Sequence, residues 1–217
     1  MHRFVINLKR RPDRLALFQA RCPIKDPIEI VYGFDAKNPN QELEEEQNLF
    51  YNVIILPFIG ERGCFITHLR IFRKIVEQQI PIAQIFEDDC HFSPMFEQGM
   101  ELLELPKQFY ILYNGGRFTQ HFMMAPNTHA KYNNTVAIHT FNQGIVGHYH
   151  DRTTHAYIIT LEGAQFFLDI FDRTPPRSDY GPIDKWLCHT CYEHNIPIYS
   201  TIPLLCHSPA IGDSDIR

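Results

Sequence analysis

The run Ile82-Ala83-Gln84-Ile85-Phe86 passes without a break into Glu87-Asp88-Asp89. Five mostly apolar residues have the length of a buried strand, and Pro81 in front of them stops the helical pattern that precedes it. Three carboxylates cannot follow that strand into a core. They repel one another and must meet water, a hydrogen-bond network or a cation. The strand therefore has to end at a surface or in a cleft. Alternation along an extended chain puts Glu87 and Asp89 on one face and turns Asp88 away. Hard oxygen donors suit Mg²⁺ or Mn²⁺, and a divalent ion bridging a nucleotide diphosphate is a natural occupant. An acidic strand-to-loop turn with no ion is the plainer alternative.

The surrounding segments say what kind of sheet this strand joins. Phe4–Leu8 is apolar and β-capable, and the basic turn Lys9, Arg10, Arg11 follows it. Pro12 then suits a first helical position, with Asp13 in the first turn and an apolar stripe as far as about Arg21. Ile28–Tyr32 reads as a second strand ending at Gly33-Phe34-Asp35. Residues 37–48 are polar and acidic, a solvated loop or short surface helix. Gly60–Gln79 is the clearest helix, with Cys64, Ile71 or Phe72, and Ile75 near one face. Phe109–Tyr113 is a further strand, ending in Asn114-Gly115-Gly116. Residues 117–153 read as loops with one or two short strands, such as Thr135–His139. Ala156–Thr160 is a strand, Glu162–Phe171 a helix, Pro182–His194 the last helix, and Ile198–Leu205 partly extended. Strands alternating with helices predict an α/β fold: a mainly parallel sheet with helices on both faces. Ligands of such sheets sit at the carboxyl ends of the strands, where the polar clusters fall.

Composition narrows the function classes. A chain of 217 residues is sized for a single domain, here 1–217. With 20 basic and 25 acidic side chains the net charge is −5, so nothing pulls the chain toward nucleic acid. No stretch approaches the roughly 20 apolar residues of a membrane helix. The apolar run near the N-terminus is too short for a signal peptide. Six cysteines are too few for a disulfide scaffold of this length. The expectation is a chain with reduced thiols in the cytoplasm.

Three clusters can carry chemistry. Asn7-Leu8-Lys9-Arg10-Arg11-Pro12-Asp13-Arg14 places cations at a strand-to-helix turn, which suits a phosphate or simply a solvated turn. The acids Glu87 to Asp89 form the second. In the third, Gly60 and Gly63 are read as preceding a helix and allowing close approach of a ligand to the backbone. His68 lies one turn beyond Cys64, facing the same interior, as a ligand-side or a satisfied core histidine. A zinc site is a competing reading: Cys188-His189-Thr190-Cys191 has C-x-x-C spacing, with His194 and Cys206-His207 after it. The segment His148-Tyr149-His150-Asp151 with His155 is a further metal candidate, expected instead to line an acceptor cleft or the surface.

These residues carry a resemblance. Val5-Ile6-Asn7-Leu8 with Arg11-Pro12-Asp13-Arg14, Gly60-Glu61-Arg62-Gly63-Cys64 with Thr67-His68, and Phe86-Glu87-Asp88-Asp89 are similar, in order, to blocks of the family 25 glycosyltransferases. That family includes lipopolysaccharide galactosyl- and glucosyltransferases and procollagen galactosyltransferases. Tyr110-Ile111-Leu112-Tyr113-Asn114-Gly115, Ala156-Tyr157-Ile158-Ile159 with Gly163-Ala164, Pro182-Ile183-Asp184, Pro203-Leu204-Leu205 and Ser214-Asp215-Ile216 continue it. The resemblance implies a GT-A-like nucleotide-sugar-binding domain, with 1–116 as the nucleotide-sugar half and 117–217 as the acceptor-side half. It implies a UDP-sugar donor (UDP-galactose or UDP-glucose), Mn²⁺ or Mg²⁺, and inverting transfer to a glycan or protein hydroxyl. On that analogy Asn7, Arg11 and Arg14 lie near the nucleotide, Asp35 near uridine or ribose, and His68 and Asp88 in the same donor-binding set. Glu87 and Asp89 hold the metal, with His207 as a further ligand, and Asp184 is the general base. An acid in a first helical turn is also favoured by the helix dipole alone. Arg62 and Thr67 depart from the family's commoner residues. Arg62 is expected near a phosphate or exposed, and Thr67 keeps a hydroxyl. A nucleotide- or sugar-binding module without turnover, and a zinc-containing hydrolase, are the alternatives.

Overall fold

The structure, a computed structural model, describes residues 1–116, 137–140, 153–175, 181–202 and 204–207. Strand β1 (His2–Asn7) lies between β2 (Glu29–Tyr32) and β3 (Ile82–Glu87), parallel to both. Side chains of β1 and β3 alternate between two cores. Phe4 and Ile85 face one, Val5 and Phe86 the other. Helix α1 (Pro12–Arg21) begins at its proline and closes the second core through Phe18, which meets the rings of Phe86 and Phe92. The same core takes in Phe96 of the short helix α4 (Phe96–Glu101).

The other face carries α3 (Ile59–Glu77), α5 (Leu161–Arg173) and α6 (Ile183–Glu193). Trp186 of α6 joins them, with ring centroids 5.1, 5.8 and 6.4 Å from Phe65, Phe167 and Phe171. Thr160 caps α5 by accepting a hydrogen bond from the Gly163 N–H at 3.0 Å. Gly163 itself has no room for a side chain, because a Cβ there would sit 2.4 Å from the Tyr110 carbonyl oxygen. Gly63 lies inside α3 and not ahead of it. A Cβ there would stand 2.9 Å from the Phe34 carbonyl oxygen, so this glycine serves the packing of α3 on the 34–36 loop.

The acidic stretch after β2 is less solvated than its composition suggests. Beyond a 3₁₀ turn (Pro39–Gln41), helix α2 (Glu44–Asn48) runs into a π-helical turn (Leu49–Val53). Glu46 is buried, and its carboxylate accepts from Arg70 Nε at 2.7 Å and Nη2 at 2.6 Å. Arg62 is half-buried and engaged within the fold. It donates to the carbonyls of Leu56 (2.8 Å) and Phe50 (3.3 Å) and binds that turn to α3.

The main sheet has the order β2-β1-β3-β8-β5-β9-β7, where β5 is Ile111–Tyr113, β7 Ala137–Thr140, β8 Ala156–Thr160 and β9 Tyr199–Ile202. Among the described residues, five of the seven strands of this sheet point the same way, which agrees with the α/β class and with helices on both faces. The exceptions are β7 and β8. Strand β8 lies antiparallel between β3 and β5, so the two halves read from the sequence are interleaved in one sheet. A small second sheet, β4 (His91–Phe92), β10 (Cys206–His207) and β6 (Gly115–Gly116), borders the same end. No helix among the described residues is long and apolar enough to cross a membrane.

Candidate active site

The carboxyl ends of β1 and β3 and the start of β8 meet at one edge of the sheet, where open α/β sheets bind ligands. The reversal of β8 delivers His155 there, and its carbonyl accepts from the Glu87 N–H at 3.0 Å. The cleft is lined by Asn7, Arg14, Cys64, His68 and all three acids, Glu87, Asp88 and Asp89. Strand β3 ends at Glu87, so the next two residues turn. Strand alternation does not set Asp88 apart, because it shares Arg14 Nη2 with Asp89, while its other oxygen reaches toward β1. Asp88 accepts from Asn7 Nδ2 at 2.7 Å and pairs with Arg14, and the same Asn7 amide donates to the Arg11 carbonyl at 2.9 Å. Burial pushes the Asp88 carboxyl up to about 6, against the pull of Arg14 and Asn7.

Glu87 and Asp89 converge on His155. One donor atom from each lies within 4.8 Å of the other two. Asp89 Oδ1 is 3.3 Å from His155 Nε2, and Oδ2 is 2.9 Å from Arg14 Nη2. Burial works against the Asp89 charge, but His155 and Arg14 outweigh it and hold the carboxyl down to about 2. Burial likewise opposes ionisation of Glu87, and His155 and His68 bring it below its ordinary range. Thr154 donates its hydroxyl to Glu87 Oε1. Asp89 Oδ1 is buried without a hydrogen bond among the described residues. Two ionised carboxylates and an imidazole nitrogen form a donor set that fits a divalent ion of the Mn²⁺ kind.

Behind this set, on α3, His68 is fully buried, with Nδ1 2.7 Å from the Tyr157 hydroxyl and Nε2 3.5 Å from Glu87 Oε1. Thr67 uses its hydroxyl within the fold, donating to the Gly63 carbonyl and accepting from the Phe34 N–H. Asp184, in the first turn of α6, accepts from the Lys185 N–H at 2.9 Å. Its carboxyl is raised by burial, then by the charge of Glu87, against the Lys185 hydrogen bond. Asp184 thus feels the Glu87 charge from a separate element, but it is not among the residues that line the cleft.

Other expected residues lie apart. Arg11 pairs with Asp13 through Nε and Nη2 and does not line the cleft. Asp35 lines a neighbouring cavity. Its carboxylate accepts from Asn38, the Lys37 N–H and Arg10, and these hold it below its ordinary range against the effect of burial. His207 is exposed on β10, its ring 5.5 Å from that of His91, and belongs to neither of the two metal-capable groups among the described residues. Cys188 and Cys191 are buried in the main core, so the C-x-x-C spacing serves packing, and no disulfide joins the cysteines. His148 to Asp151, Pro203 and Ser214 to Ile216 lie outside the described residues. The sequence groups His155 with that histidine-rich segment, on an acceptor wall or the surface. The backbone bond to Glu87 is what brings it to the acids instead, and a tertiary pairing of that kind leaves no local pattern.

Comparison with known proteins follows this geometry. A family model described as Glycosyltransferase family 25 (LPS biosynthesis protein) matches residues 1–186. A Glycosyltransferase 25 family member of Drosophila melanogaster is 26% identical over 227 residues, covering 94% of this chain and 35% of that protein. Procollagen galactosyltransferase 1-A of Xenopus laevis is 26% identical over 219 residues, covering 91% and 32%. The chain thus spans about a third of the length of the curated relatives it matches. Among solved structures, apo mouse Xyloside xylosyltransferase 1 aligns with a TM-score of 0.39 and 13% identity, over 90% of this chain and 69% of that one, a likeness too weak to carry an inference.

Proposed function

The chain belongs to glycosyltransferase family 25, and on that premise we propose that it moves a hexose from a UDP-sugar to a hydroxyl of a glycan or protein, with a divalent metal and with inversion. The observation that carries this reading is the convergence of Glu87, Asp89 and His155 at the carboxyl end of β3, where Glu87, Asp89 and Arg14 line the cleft. These three residues would hold the ion, Mn²⁺ or Mg²⁺. When bound, it supplies positive charge against the leaving diphosphate. Arg14 adds a fixed cation on the same side, and Asn7 holds Asp88 and the basic turn in register.

The base has to be a carboxylate free of the metal. Asp184 meets that condition, because α6 carries it and burial with the Glu87 charge raises its proton affinity. In the transfer, the acceptor hydroxyl gives its proton to Asp184 as its oxygen bonds to the anomeric carbon. The bond from that carbon to the diphosphate oxygen breaks on the opposite face, and UDP leaves with the electron pair. Galactose is the sugar favoured by the name of the Xenopus laevis relative.

UDP release from a panel of UDP-sugars, with Mn²⁺ and with EDTA, tests the proposal without an acceptor. Mn²⁺-dependent release from UDP-galactose or UDP-glucose is expected. No release from any donor, with no thermal shift on adding UDP and Mn²⁺, would refute it.

A further inference from the structure

A second donor set stands one step deeper than the first. Cys64 Sγ, His68 Nε2 and a Glu87 carboxylate oxygen lie within 4.8 Å of one another. Cys64 and His68 are one turn apart on α3 and both line the cleft. Two observations point to a ligand there. His68 Nε2 is fully buried and makes no hydrogen bond among the described residues, although Glu87 Oε1 is 3.5 Å away. On the far side of the ring, Nδ1 meets the Tyr157 hydroxyl at 2.7 Å. When Nδ1 is the donor to that hydroxyl, the Nε2 lone pair faces inward toward Cys64 and Glu87, as in metal-ligating histidines. The spacing also fits, since two ligands at ~2.0–2.1 Å from a tetrahedral ion stand about 3.3 Å apart.

We infer that Cys64, His68 and Glu87 form a binding site for a thiophilic divalent cation, Zn²⁺ in the first place, with its fourth position open to the cleft. Donor softness separates the two sets. A thiolate and an imidazole select Zn²⁺, whereas the carboxylate-rich Glu87, Asp89 and His155 suit Mn²⁺. On binding, a Zn–S bond forms and the Cys64 thiol releases its proton to solvent. Glu87 belongs to both sets, so Zn²⁺ removes a ligand from the Mn²⁺ cluster and inhibits. That consequence rests on the proposed metal-dependent transfer, but the binding itself does not.

Co²⁺ titration of the whole chain reads the site directly. A thiolate-to-cobalt charge-transfer band in the near ultraviolet is expected in the wild type, lost in Cys64→Ser and Cys64→Ala, and retained in Asp89→Asn. The two Cys64 replacements are both made so that one failing to fold leaves the other. Zn²⁺ competition for a chromophoric chelator should show affinity falling more than about tenfold in His68→Gln, since even outer-shell partners are worth ten- to a hundredfold. No band in the wild type, or a band that persists without Cys64, overturns the site. Inhibition is then read as the ratio of Mn²⁺-dependent UDP release with and without Zn²⁺. A Co²⁺ band with neither UDP release nor a thermal shift on adding UDP and Mn²⁺ would leave the metal site standing and the transferase reading refuted. UDP release without a band would do the reverse.

Discussion

Asp88 carries the most instructive energetic conflict in the molecule. Its side chain is only 9% exposed, and the folded protein holds its carboxyl at about 6 against an ordinary value of 3.8. That difference is worth about 3 kcal/mol, and its sign is set by the acid. Below about pH 4 the group is protonated both folded and unfolded, and it costs nothing. Between about pH 4 and pH 6 the unfolded chain gives up a proton that the folded chain keeps, so stability falls as pH rises. Above about pH 6 the full cost of a buried charge is present. An asparagine in its place has no proton to lose, and its amide oxygen still accepts from Asn7. The metal-free Asp88→Asn protein should therefore be more stable than wild type at pH 7.5, by up to about 3 kcal/mol. At about 2–4 °C per kcal/mol for a chain of this size, the full effect raises Tm by at least ~6 °C. The gain should shrink to nothing toward pH 4. Thermal unfolding in EDTA across that range is the assay. A Tm at or below wild type at pH 7.5, or a difference that does not change with pH, would refute the reasoning. A natural chain that retains such a charge trades stability for a site.

Three more outcomes are expected. Asp184→Asn should leave UDP binding near normal and cut transfer at least ~100-fold, the low end for loss of a general base, measured as turnover against calorimetric affinity. His155→Ala should weaken Mn²⁺-supported UDP binding about tenfold or more, and an unchanged Mn²⁺ titration would remove His155 from the cluster. Gly163→Ala should cost ~1–3 kcal/mol in chemical denaturation, because its Cβ would press to 2.4 Å from the Tyr110 carbonyl oxygen and backbone has to move.

Features whose causes are local are legible in the sequence. Pro12 starts α1, α5 begins at Leu161, one residue before the expected Glu162, and the apolar run before Glu87 becomes β3. Asn7, Arg14, His68 and the three acids stand out by their place after strands or on a helix, and the fold assembles them in one cleft. What escapes depends on distant partners. Nothing in Ala156–Thr160 tells its direction, and the alternation of strands and helices suggests a parallel neighbour where β3 has an antiparallel one. The position of His155 follows from that reversal. Glu46 sits in a run of acids that any compositional argument leaves in water, and only Arg70, 24 residues on, makes its burial tolerable. Arg11 resembles a phosphate ligand by charge, yet the acid two residues away takes its guanidinium.

The antiparallel placement of β8 also bears on how this enzyme family can diversify. A strand running against its neighbours begins where they finish, so the chain that leaves β6 and the chain that enters β8 stand side by side, with a Cβ on Gly115 falling 2.8 Å from that of Ala156. Between these two neighbours in the sequence, Ala137–Thr140 is itself fixed in the main sheet as β7, paired with β9. Lengthening a loop with fixed ends costs only about 0.6 kcal/mol per doubling. An insertion on either side of β7 therefore costs the sheet little, because Gly115 and Ala156, packed against each other, hold the two ends in place whatever lies between them.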